Sequence, residues 1–176
     1  MKNLFAALSI FALCCASAPA QSSRQSAMTD QQFVDFAAQT DMTEAHLGQL
    51  AADKATRQDV KDYAQMLVTD HTGDYKTLAT LATKAGLNVP KGLDAAHDKM
   101  IAPFEKLKGA AWDSHYEREM VSGHQKAIAQ YKKAADSLQN ADLKSYATQA
   151  LPILEKHLQG AQDLMKSKGK GGSSKM

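Results

Sequence analysis

The chain has 176 residues, enough for one ordinary domain around a single core and too few for two comfortable ones. Its net charge of +2 invites a nucleic-acid reading, yet without Lys2, Arg24 and the tail residues Lys166, Lys168, Lys170 and Lys175 the region 29–165 carries −4. A body of that sign repels phosphate backbones, so no nucleic-acid partner is expected.

Residues 1–20 open on Lys2, run apolar from Leu4 to Leu13 and close on Ala18-Pro19-Ala20, the pattern of a secretory signal peptide. The expectation is export to the periplasm or envelope, with the mature chain starting at Gln21. The apolar run is short for a membrane span and no later stretch replaces it, so no transmembrane span is expected in the mature chain. Cys14 and Cys15 leave with the signal, which excludes disulfides, haem attachment through cysteine and thiol chemistry. Neither follows the small residue that a lipoprotein signal needs. Residues 21–28 read as a flexible leader.

The body, 29–165, reads as helix throughout, because apolar residues recur every three or four positions while alternating β-branched runs are missing. A first helix, capped at Thr29 or Asp30, carries the stripe Phe33, Ala37, Thr40, Glu44, Leu47, Ala51 and ends near Ala55. Thr56-Arg57-Gln58-Asp59 reads as a capping box opening a second helix, striped Val60, Ala64, Leu67, His71, Leu78, Leu81, Ala85 and stopped by Gly86. Residues 87–109 contain Pro90, Gly92, Pro103 and Gly109 and read as a crossover with a short helix from about Asp94 to Lys108. A further helix from about Ala111 to Leu138 is striped Tyr116, Met120, His124, Ala127, Tyr131, Leu138. The last, from about Ala141 to Lys168, carries Leu143, Ala147, Ala150, Leu154, His157, Ala161, Leu164 and should kink at Pro152. Residues 166–176, rich in Gly, Ser and Lys, suit a disordered tail.

Asp59-Val60-Lys61-Asp62-Tyr63-Ala64 recurs as Asp142-Leu143-Lys144-Ser145-Tyr146-Ala147, each copy opening the second helix of a hairpin. Two short-loop hairpins joined by one long crossover are the outline of an all-α, ferritin-like four-helix bundle.

The chain also resembles a family. Phe33-Val34, Glu44 with Leu47-Gly48 and Leu50-Ala51, Asp70-His71, Pro90 with His97, Trp112-Asp113 with Tyr116, Met120-Val121 with His124, and Leu151-Pro152 with His157-Leu158 look like domain of unknown function 4142 over about residues 30–165. The resemblance implies a ferritin-like fold and an exported bacterial protein, often described as an outer-membrane protein. It implies no settled activity.

Each main stripe holds one ionisable residue where an apolar one belongs: Glu44, His71, His124 and His157. At about 1.5 Å of rise per residue they lie roughly 18, 22, 24 and 26 Å from their hairpin turns, so antiparallel packing brings them to one central layer. Three imidazoles and a carboxylate form a ligand set suited to one divalent transition metal, Zn, Fe, Mn or Cu. Asp70, Asp74, Asp113, Tyr116, Glu117 and Met120 lie near enough to support it. The residues three before the histidines are Val68, Val121 and Leu154, so the Glu-x-x-His pairs of di-iron bundles are missing. The same four residues also suit a purely structural hydrogen-bond network. His46 and His115 fall off the stripes and are expected in solvent, while His97 is expected to cover the bundle end. The aromatics Phe33, Tyr63, Trp112, Tyr116, Tyr131 and Tyr146 recur at helical spacing, which favours core packing. The sequence holds no nucleophile elbow, phosphate loop, dinucleotide fingerprint, H-E-x-x-H or calcium loop, so catalysis is not indicated. Two functions stay open: an exported metal-binding or redox bundle, and a non-enzymatic envelope module that meets an unidentified protein or surface partner.

Overall fold

The structure, a computed structural model, describes residues 27–167. The expected signal peptide, most of the leader and the tail beyond Ser167 lie outside the described residues. Five helices follow in order: α1 (Asp30–Lys54), α2 (Gln58–Lys84), α3 (Ala95–Lys106), α4 (Gly109–Ser137) and α5 (Ala141–Ser167). The described residues contain no strand.

Local chemistry sets most of the boundaries. Thr29 begins α1 with a capping box: its hydroxyl accepts from the Gln32 amide at 3.2 Å while the Gln32 side chain accepts from the Thr29 amide at 3.0 Å. Gly86, at φ +70°, ends α2 by letting the Leu87 amide reach the Ala82 carbonyl and its own amide reach Thr83. Asp94 caps α3 through the amides of Ala96 and His97. The start of α2 differs from the sequence expectation. Arg57 is the cap residue and provides no side-chain cap, because the Thr56 hydroxyl is taken by Asp113 of α4 at 2.5 Å. Helix α5 continues through Pro152 instead of ending there.

Side-chain bonds along the crossover give its direction. Gln31, early in α1, exchanges two hydrogen bonds with Asn88, Gln39 bonds Gly92 and Asp94 further along, and Lys54 at the helix end donates to the Glu105 carbonyl. The crossover therefore climbs the whole length of α1. Helix α4 then starts beside the α1–α2 turn, where Asp113 holds Thr56, and runs back until Asp30 receives the amides of Gln139 and Asn140. Helices α1 and α2 pair as one hairpin and α4 and α5 as the other; α1 meets α4, α2 meets α5, and α3 lies across α1 and α4. This is the expected bundle of two hairpins with one long crossover.

Two apolar clusters fill the interior. One holds Phe33, Leu78, Tyr131, Leu143, Tyr146 and Leu154; the other holds Leu47, Leu67, Phe104, Trp112, Tyr116 and Leu164. All six stripe aromatics are buried, as their spacing predicts. Between the clusters, at mid-height on all four long helices, lie Asp41, Glu44, His71, His124 and His157, each no more than 5% exposed. Close backbone approach fixes the hairpin beside this layer: a Cβ on Gly48 would stand 2.6 Å from Val68 Cγ2 and 2.8 Å from the Ala64 carbonyl oxygen.

Candidate metal centre

The four predicted residues reach the same layer, one from each long helix. His71, His124 and His157 stand with ring centroids 5.3 to 5.9 Å apart, and one nitrogen from each lies within 4.8 Å of the others. Glu44 joins the layer with Oε1 3.8 Å from His124 Nδ1, outside that tight group of nitrogens.

Each imidazole is held through one ring nitrogen only. His71 Nδ1 bonds Asp41 Oδ1 at 2.9 Å, His124 Nδ1 bonds the Met120 carbonyl at 2.8 Å, and His157 Nε2 bonds Asp70 Oδ2 at 2.9 Å. A carboxylate or carbonyl accepts, so the nitrogen facing it carries the proton. The opposite nitrogens, Nε2 of His71, Nε2 of His124 and Nδ1 of His157, are buried without a hydrogen-bond partner, as is Glu44 Oε2. Buried polar atoms are rarely left unmatched, and a ring fixed through one nitrogen while presenting the other is how ligating histidines are oriented.

Burial pulls His124 and His157 down to about 4, so both are neutral near pH 7 and hold a lone pair on the unpartnered nitrogen. His71 differs. Burial opposes its charge, but the Asp41 bond and the negative charges of Glu44, Asp41 and Asp74 outweigh it and raise its pKa. Burial lifts Asp41 to about 6 despite His71, and lifts Glu44 as well.

The chain belongs to the DUF4142 family. The family model, described as a domain of unknown function, matches residues 15–164. No functionally curated protein matches the sequence. In structure the DUF4142 chain is similar to a DUF305 protein from Streptomyces coelicolor that is described as secreted, with a TM-score of 0.63 at 14% identity, covering 82% of this chain and 96% of that one. At that identity the likeness shows the helical fold alone.

Several expected positions move. Asp70 and the Met120 carbonyl support the histidines as foreseen, and Asp74 stands in a second group with Asp41 and His71. Asp113 instead binds Thr56 and Arg57 at the bundle end, and Glu117 pairs there with Arg57. His46 and His115 are half-buried, not in solvent, and the His115 ring packs 4.6 Å from Phe104 on α3. His97 sits at the start of α3, its ring bonded to its own cap residue Asp94. Asp41 was not among the residues predicted from sequence. It lies four residues after Ala37 and three before Glu44, on the same helical face, so the stripe drawn through Thr40 should have passed through it.

Two openings reach the layer. Glu44 and Met120 line a cavity of about 220 Å³ under the crossover, with Phe36, Thr43, Met100 and Glu119. On the other side His157, Asp70 and Asp74 line a recess of about 410 Å³ between α2 and α5. No helix among the described residues is long and apolar enough to cross a membrane.

Proposed function

We propose that this protein is exported to the bacterial envelope and holds a divalent transition cation in its core on His71, His124 and His157, with Glu44 as the fourth ligand. The observation that supports this reading best is the set of three clustered, buried imidazoles, each anchored through one ring nitrogen and each leaving the other unmatched. Metal–nitrogen bonds of about 2.0–2.1 Å require the nitrogens to draw together from their present spread, a small adjustment for side chains. Two of the rings present a lone pair near neutral pH, and the third would release the proton on its unpartnered nitrogen to solvent as the ion binds. Imidazole ligands suit Zn, Fe, Mn and Cu alike, and the carboxylate lowers the charge of the bound site. The protein's part is to fix the donors and shield the ion from water. Export rests on residues 1–20, and the intact mass of the secreted chain should begin at Gln21.

The test is a series of thermal melts with Zn, Mn, Fe(II) and Cu on metal-free wild type and on the His71→Ala, His124→Ala, His157→Ala and His46→Ala variants. Wild type and His46→Ala should gain about 2.7 kcal/mol at a hundredfold excess over Kd, and the other three should lose most of that gain. The gain should fall on acidification as protons compete for the imidazoles. Equal metal responses in wild type and the three layer variants would leave the layer as a structural network within an envelope module.

A further inference from the structure

Resting on that reading, we infer that the layer has a second cation position, formed by Asp41, Asp74 and the outer nitrogen of His71, so that the His71 imidazole bridges two ions. Donor atoms of Asp41, His71 and Asp74 lie within 4.8 Å of one another, separately from the three-histidine group that shares only His71. The two ring nitrogens of His71 serve different sides: Nδ1 meets Asp41 Oδ1 at 2.9 Å, while Nε2 is unpartnered. Asp41 is 2% exposed, and its second oxygen, Oδ2, has no hydrogen-bond partner, so the pair with His71 leaves a buried acceptor unused. Such an atom marks a place where a donor or an ion is missing from the inventory.

Access agrees with the arrangement. Asp74 follows His71 by three residues on α2 and lines the recess between α2 and α5, together with Asp70. An ion entering there would meet Asp74, whose donor atom lies within 4.8 Å of those of Asp41 and His71. The ligand class is a divalent transition cation that accepts mixed oxygen and nitrogen donors. Occupation exchanges a proton for the ion. The Nδ1–H bond of His71 breaks, its electron pair forms the Nδ1–metal bond, the proton leaves to solvent, and no electron is transferred.

Cu(II) is the probe, because two Cu(II) ions joined through one imidazolate pair their spins. Metal-free full-length mature protein is titrated with Cu(II), following bound copper by equilibrium dialysis and integrated spin by electron paramagnetic resonance. Wild type should bind two ions per chain, with a signal that grows through the first equivalent and is lost through the second. Asp74→Asn, at a half-buried position with no side-chain hydrogen bond, should bind one ion with an undiminished signal and retain its helical circular dichroism. Asp41→Asn should do the same. Saturation of wild type at one ion with full signal would overturn the second position and leave the three-histidine site standing. Two ions with additive signals would overturn the shared imidazole, as would two ions in Asp74→Asn. Absence of any bound copper would overturn both proposals.

Discussion

Acid should destabilise the metal-free protein through His124, and the size of the effect follows from its surroundings. The ring is 1% exposed and its pKa is pulled from 6.5 down to about 4 by burial. Between those values the unfolded chain binds a proton that the folded chain refuses, so the stability associated with the neutral ring is fully present above pH 6.5 and is lost as pH falls to 4. One such group contributes a slope of about 1.4 kcal/mol per pH unit, or about 3 kcal/mol over the window. Asp41 acts in the opposite sense: raised to about 6, it favours the folded state as acid is added. The wild-type curve is thus a sum, but the difference between wild type and His124→Leu removes what they share. Guanidinium melts of both proteins in chelator at pH 7, 6, 5 and 4.5 measure it. The wild type should lose stability to acid more steeply than His124→Leu, by about 2 to 3 kcal/mol across the series. Parallel curves would refute the argument, since His124 would then titrate at the same pH folded and unfolded.

Leu67→Ala and Leu154→Ala remove buried side chains from the two apolar clusters flanking the layer and should each cost about 2–5 kcal/mol in denaturant melts. Gly48→Ala should lower the melting temperature by a cost of about 1–3 kcal/mol, because its new methyl meets the Ala64 backbone carbonyl, which α2 cannot move aside as a side chain could.

The periodicities of Phe33 to Ala51, Val60 to Ala85, Tyr116 to Leu138 and Leu143 to Leu164 carry the bundle, since burying a helical stripe on each of four helices leaves few arrangements open. Gly86 and Pro90 mark the crossover, and counting rise per residue brings Glu44 and the three histidines to one height. What escapes such counting is contact between distant segments. Thr56 reads as a cap until Asp113, 57 residues on, takes its hydroxyl. His115 reads as solvated until α3 folds over that face of α4 and lays Phe104 against it. Asp113 and Glu117 precede His124 by eleven and seven residues, which at about 1.5 Å each places them some 16 and 10 Å along the helix. That distance was enough to hand them to Arg57 and Thr56 instead of the layer. Asp41 is legible from its place between Ala37 and Glu44, one position beyond the Thr40 of the stripe.

The division of the interior by a polar layer changes how the bundle holds together. Apolar cohesion is supplied by two lobes at opposite ends, while the middle of every long helix depends on a handful of directional bonds: His71 to Asp41 across α2 and α1, and His157 to Asp70 across α5 and α2. Neither of these hydrogen bonds involves α4: His124 bonds back to its own helix at Met120 and meets its neighbours through Glu44 at 3.8 Å and the rings of His71 and His157. At its waist α4 is therefore held by ring and charge contacts, without a short hydrogen bond to another helix. In a protein whose ends resist opening, that span is where local separation costs least, and an incoming group could part the hairpins there without unfolding either lobe.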